Sequence, residues 1–204
     1  MIRIAVLVSG GGTNLQALID AQKAGKLKSG KLALVVSSKA EAYALRRAQD
    51  AGIETAVLLK AESPEVYGER LIALLKDHVI DMVVLAGFML ILHENVIRAY
   101  EKRILNVHPS LIPAFCGTGY YGLRVHMAAL EKGVKVTGAT VHLVNEIPDG
   151  GKILAQKAVK IKKGERPEAL QKRVMEKCEW VLLPKETEKL AKKLAKKKAE
   201  EKAN

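Results

Sequence analysis

"IRIAVLVSGGGTNLQALID", residues 2–20, decides the reading of the fold. An unbroken apolar run of strand length (2–9) meets three glycines, and a segment with apolar 3-4 spacing (14–24) follows. Strand, tight turn and helix make the opening unit of a βα repeat. The alternation continues: "LALVVSS" (32–38), "ETAVLL" (54–59), "DMVVLAG" (81–87) and "ILNVHP" (104–109) read as strands, separated by helical patterns over 40–50, 64–77 and 94–102. Strands apolar on both faces and separated by helices predict an α/β fold, a doubly wound, mostly parallel sheet with right-handed crossovers. Beyond residue 125 the pattern changes. A helix at 126–132 precedes "VTGATVHLVNE" and "ILAQKAVKI", read as a late antiparallel strand pair joined through "IPDGG", and a C-terminal helix spans 167–183.

A chain of 204 residues, 49% apolar, suits one domain with a full core. No run reaches the roughly 18 uncharged apolar residues of a membrane span, and Met1 leads straight into a strand, so a soluble cytoplasmic protein without membrane contact is expected. Two cysteines, Cys116 and Cys178, form neither a disulfide framework nor a metal pair. The net charge is +12, but residues 185–204 hold eight lysines against four glutamates and supply four of those charges. That lysine-rich tail reads as a solvated helix or frayed end. With 4% aromatics the chain has little for stacking bases, so no nucleic-acid partner is expected. The remaining basic excess suits phosphorylated small molecules.

The first turn, "VSGGGTNLQ", sits where a helix N-terminus can hold an anion. The dinucleotide fingerprint fails there, because Leu15 occupies the third glycine position and strand two ends in "SSK", without an acid for a ribose. What remains is a cradle for one terminal phosphate: Gly11 and Gly12 admit close backbone approach, Thr13 brings a hydroxyl and Asn14 an amide. A turn serving only chain reversal is the alternative.

In "ILNVHPSLIP" (104–113) side chains alternate, so Asn106 and His108 share one face while Leu105 and Val107 share the other. The pair lies near the carboxyl end of a parallel strand, the edge where such sheets place ligands. An amide donor beside an imidazole can hold a developing oxyanion and move a proton. "DGG" at 149–151 adds an acid in a tight turn, from which Asp149 can orient the imidazole and favour its charged form. Ordinary turn chemistry also explains an Asp before two glycines.

Four ordered motifs, "IAVLVSGGGTNLQALID", "VVLAGFML", "ILNVHPSLIP" and "ATVHLVNEIPDGG", resemble the phosphoribosylglycinamide formyltransferases over roughly residues 1–184. The resemblance implies a Rossmann-like formyltransferase fold and transfer of a formyl group from the co-substrate 10-formyltetrahydrofolate to glycinamide ribonucleotide in purine synthesis. It implies catalytic roles for Asn106, His108 and Asp149, phosphate binding by Gly12, Thr13 and Asn14, and a folate pocket formed by Met89, Leu90, Ile91, Leu92 and Asn106. It requires no metal, and small molecules are the expected partners of a monomer or homodimer. The single domain at 1–184 divides into a phosphate-binding half (about 1–103) and a catalytic and folate-binding half (about 104–184).

The chain also departs from that family. Leu90 stands where many members have Arg, Pro64 lies near another frequent Arg, and Lys152 replaces a common Pro. "FCGTGYYGLRVH" is a longer loop than the plain version. The last helix carries one extra residue, leaving Glu179 as a possible substrate-supporting counterpart. His142 lies opposite Val141 and Leu143 and either borders the ribonucleotide or serves structure; His126 opens the helix at 126; Cys116 is a loop residue; Trp180 packs. Other formylfolate-dependent transferases or hydrolases resemble the same core but carry further domains. A non-catalytic nucleotide-binding module is the alternative from another class.

Overall fold

The computed structural model describes residues 1–203, with side chains described through 201; Asn204, the end of the expected tail, lies outside the described residues. Seven strands, β1 (Ile2–Val8), β2 (Gly30–Ser37), β3 (Glu54–Val57), β4 (Met82–Leu85), β5 (Ile104–His108), β6 (Val136–Leu143) and β7 (Ile153–Lys160), form one sheet. Its order is β3-β2-β1-β4-β5-β6-β7. β1 to β5 pair in parallel, and β6 and β7 are antiparallel. The doubly wound sheet with a late antiparallel pair is therefore as the alternation predicts.

Both faces of the parallel half are covered. Ile4, Val6 and Val8 of β1 face a core formed with α1 (Thr13–Lys23), α2 (Tyr43–Asp50) and the C-terminal helices. Ala5 and Leu7 face the second core, under α3 (Pro64–Asp77) and α4 (Glu94–Ala99). Two buried faces explain why β1 reads as continuously apolar. Pro64 begins α3, and Ser63 caps it by accepting from the Val66 N–H at 3.2 Å. Strand order reverses between β1 and β4, which opens a crevice at their carboxyl ends. Ser9 bridges that crevice: its hydroxyl accepts from the Met89 N–H at 2.9 Å and lies 2.7 Å from the Ser38 hydroxyl.

Two elements differ from expectation. α5 (Leu123–Glu131) starts before His126, which is buried within it rather than opening it. The C-terminal helix is also not one regular segment ending at 183. α6 (Pro167–Val174) passes into a π-helical turn, Met175–Glu179, and then into α7 (Trp180–Ala203). A π turn takes one more residue than an α turn, so this segment has room for the extra residue that the family resemblance suggests.

The tail expected as a solvated appendage from 185 onward is continuous with α7, and its first half is docked. Glu186 and Thr187 are buried, Leu190 and Ala191 belong to the core beside α1, and Glu188 accepts from the Lys28 and Ser29 N–H groups and the Ser29 hydroxyl. Gly30 allows the approach, since a Cβ there would lie 2.5 Å from Ile4 Cδ1 and 3.1 Å from Ala191 Cβ. Composition concealed this because two leucines and several alanines suffice at such close range. Leu190→Ala should lower unfolding stability by about 2–4 kcal/mol. Removing 196–204, which among the described residues is tied to the rest of the fold through the Lys198–Asp81 pair at 2.8 Å, should cost less than about 1 kcal/mol. Urea titration of both variants checks the difference, and an unchanged midpoint for Leu190→Ala would refute docking of α7.

Candidate active site

The alternation in β5 sends Leu105 and Val107 into the core and leaves Asn106 and His108 on the opposite face, at the carboxyl end of the sheet. β6 runs antiparallel beside it, in a register that pairs Asn106 with His142 and His108 with Thr140. The turn after β6 supplies Asp149 in the left-handed region, φ +55°, a conformation Asp tolerates better than most residues. Gly151 makes that turn possible, because a Cβ there would come within 1.7 Å of the Leu143 carbonyl oxygen.

These segments converge on one carboxylate. Asp149 Oδ2 lies 3.3 Å from His108 Nδ1 and accepts from the Gly117 N–H at 2.9 Å. Asp149 Oδ1 accepts from Asn106 Nδ2 at 3.3 Å and lies 3.5 Å from His142 Nε2. His108 Nε2 donates to the Phe115 carbonyl at 2.8 Å. Burial pushes the Asp149 carboxyl up, but the charge of His108 and the Gly117 amide hold it below its ordinary value. For His108 burial dominates and lowers its pKa, reinforced by His142; Asp149 and the Phe115 carbonyl push the other way without overcoming it. Asp149 thus favours the charged imidazole, as its turn position suggests, yet the net shift is downward.

A cavity of about 660 Å³ opens in front of the three groups. Met89, Leu90, Ile91 and Leu92 all line it, as do Asn106, His108, Tyr120, Tyr121, His142 and Ile147. Leu92 is buried in the core, whereas Met89 and Ile91 are exposed at the rim. Volume and apolar lining fit a flat heterocyclic ligand.

The glycine turn after β1 is built for close approach. Gly12 is the N-cap of α1 at φ +72°, and a Cβ there would meet Ala44 Cβ at 2.6 Å. It provides no side-chain cap, so the N-cap residue leaves the first-turn N–H groups of α1 without a side-chain acceptor. Arg47 braces the loop by donating to the Gly11 carbonyl at 2.8 Å. Thr13 and Asn14, read as a hydroxyl and an amide for phosphate, turn instead toward the π-helical turn. The Thr13 hydroxyl points at Met175 Sδ, 3.8 Å away, and the Asn14 amide donates to Glu179 Oε2 at 2.7 Å. Glu179 is almost fully buried, and burial pushes its carboxyl up to about 7, with the Asn14 hydrogen bond acting the other way.

Sequence reasoning missed the Phe115 carbonyl, the Gly117 amide and the direct contact of His142. Backbone groups carry no residue signature, and the β5–β6 register that brings His142 to Asn106 cannot be read from one strand. His126, fully buried beside His108, is driven down to about 4 by burial first and by His108 second, so it stands neutral. The Cys116 thiol is raised by burial and by the Asp149 charge, which makes it a poor nucleophile.

The formyl transferase family profile matches residues 2–185. A phosphoribosylglycinamide formyltransferase of Escherichia coli is 42% identical over 175 residues, covering 85% of this chain and 80% of that protein. A chloroplastic phosphoribosylglycinamide formyltransferase of Arabidopsis thaliana is 39% identical over 176 residues, but the match spans only 60% of its length and 85% of this chain. Among solved structures, glycinamide ribonucleotide transformylase 1 of Symbiobacterium toebii superposes with a TM-score of 0.88 at 39% identity, covering 94% of this chain and 88% of that one.

The Glu179 environment sets a measurable linkage. A carboxyl with an ordinary value of 4.5 and a folded value of about 7 keeps its proton in the folded state while the unfolded chain releases it, so its contribution falls as pH rises through that window and levels off above it. Glu179→Gln stays neutral and can still accept from Asn14. We expect the Tm of this variant to gain on the parent between pH 4.5 and about 7, with a constant gap at higher pH. A gap independent of pH would show that the carboxyl is ionised throughout.

Proposed function

The chain belongs to the formyl transferase family, and from that premise we propose that it transfers a formyl group from 10-formyltetrahydrofolate to the amino group of N1-(5-phospho-D-ribosyl)glycinamide, in de novo purine biosynthesis. The observation that carries this reading is the convergence of Asn106, His108 and Asp149 beside one cavity. The two curated relatives and the solved structure described above bear names for the same reaction. Unpaired cysteines agree with a reducing compartment such as the cytoplasm.

Under this reading the folate co-substrate supplies the formyl carbon. Residues 89–92 and the rim side chains enclose its ring system, while the glycine turn and the first-turn N–H groups of α1 take the ribonucleotide phosphate. The substrate amine attacks the formyl carbon, and negative charge grows on its oxygen. Asn106 donates to that oxygen without changing its own charge. His108, whose charged form Asp149 favours, donates a proton at the departing nitrogen, and the proton lost from the attacking amine restores it. Asp149 stays ionised and fixes the orientation of the imidazole. Transfer is direct, through a ternary complex and without a covalent enzyme intermediate.

The assay supplies both substrates and follows the absorbance of the deformylated folate; failure of correctly folded protein to turn over would end the proposal. His108→Asn should lower kcat about 10²- to 10⁴-fold. Asp149→Asn removes a charge that raises the His108 pKa, so the alkaline limb of its pH–rate profile should move to lower pH. An unmoved limb would mean that His108 does not act in its charged form.

A further inference from the structure

The Asn106 amide is fully committed before any substrate arrives. One N–H goes to Asp149 Oδ1 at 3.3 Å and the other to His142 Nε2 at 3.1 Å. An amide nitrogen has only two hydrogens, so none remains for a formyl oxygen unless one bond is exchanged. The chemistry of His142 determines which bond it is. His142 Nδ1 lies 2.9 Å from the Leu143 carbonyl, which can only accept, so the proton of the neutral ring sits on Nδ1. Nε2 is then a lone pair and accepts from Asn106. An Nε2–H would face the Asn106 amide donor at 3.1 Å, closer than the Asp149 Oδ1 at 3.5 Å that could accept it, so the contact with Asn106 is a hydrogen bond only with Nε2 unprotonated.

Hydrogen bonds to ionised acceptors are stronger than those between neutral partners, so the bond to the Asp149 carboxylate holds while the bond to neutral His142 yields. The Asn106 amide stays hinged on Asp149 and turns one N–H from the imidazole to the incoming oxygen. His142 is 1% exposed and fixed in β6 directly across from Asn106. It therefore holds that N–H in one direction at little rotational freedom, which limits the reorganisation needed at the reaction step.

We propose that His142 is a positioning residue for Asn106: neutral and protonated on Nδ1, it holds the amide N–H that is handed to the formyl oxygen during transfer. The inference rests on the formyl-transfer reading, and the experiment separates the two. Absence of turnover in the parent protein would defeat that reading; turnover in the parent combined with the results below decides the inference.

Three measurements test it. First, ¹⁵N NMR of the histidine-labelled parent should show His142 neutral with the proton on Nδ1, and an imidazolium or Nε2–H ring overturns the proposal. Second, His142→Leu removes the acceptor and should lower kcat roughly 10-fold, the scale of one neutral hydrogen bond, with KM for both substrates nearly unchanged; His142→Gln, whose side-chain oxygen can accept, should recover most of the loss. Equal losses in the two variants, or a loss carried by KM alone, overturn it. Third, in an Asn106→Ala background His142→Leu should have no further effect on kcat, because the residue acts through the amide. A full additive loss there would assign His142 a merely structural role. If His142→Leu does not fold, the NMR result and the His142→Gln kinetics still decide.

Discussion

Everything at this site depends on keeping one buried carboxylate ionised. Asp149 is only 13% exposed at its side chain, and a carboxylate in that position is costly unless several donors surround it. The fold supplies them from two separate places: Asn106 and His108 from β5 and the Gly117 N–H from the loop before α5. None can be reached by local sequence alone. The parallel half of the sheet, the antiparallel register of β5 and β6, and the close Gly151 turn are the conditions under which these donors meet. The apolar partners Leu105 and Val107 fix which way β5 faces, and a slip of one residue would send Asn106 and His108 into the core.

The same arrangement explains why charge is distributed unevenly among the histidines. One carboxylate cannot balance two imidazolium ions at short range. His108 lies nearest to it and gains most from it, yet its burial still lowers the pKa. His126, buried without a carboxylate partner, is driven far lower and stays neutral. His142 spends one nitrogen on a carbonyl and the other on an amide, a set of partners satisfied by the neutral ring. Environment alone assigns three different roles to one residue type.

Much of this was legible in the sequence because the signals were local. Continuous apolar runs identified strands buried on two faces, period-two alternation placed Asn106 and His108 together, and the glycines at 10–12 marked a tight strand-to-helix turn. What stayed hidden was long-range. Nothing in "KETEKLAKKLAKKKAEEKAN" announces that Leu190 and Ala191 join the core, since that depends on Gly30 leaving room. The direction of the Asn14 side chain was equally opaque: an Asn at a helix start normally suggests an exposed cap or ligand, whereas here the helix carries Gly12 as its cap and frees Asn14 to point inward. The "DGG" turn pointed to Asp149, but it could not give the balance of burial against charge that sets the His108 pKa.

The π-helical turn ties these observations together. An inserted residue in a regular helix would rotate every later side chain by about 100°, carrying Leu182, Leu183 and Leu190 off the core. Confining the insertion to Met175–Glu179 preserves the phase of α7 and leaves the distortion beside the glycine turn. There Met175 meets the Thr13 hydroxyl and Glu179 takes the Asn14 amide. Such turns are tolerated where function gains from them, because they cost helical regularity. A buried carboxyl with a pKa near neutrality, held against the first turn of α1, is unfavourable for stability at high pH. Its placement argues that the C-terminal segment is joined to the glycine turn through side chains rather than merely packed behind it.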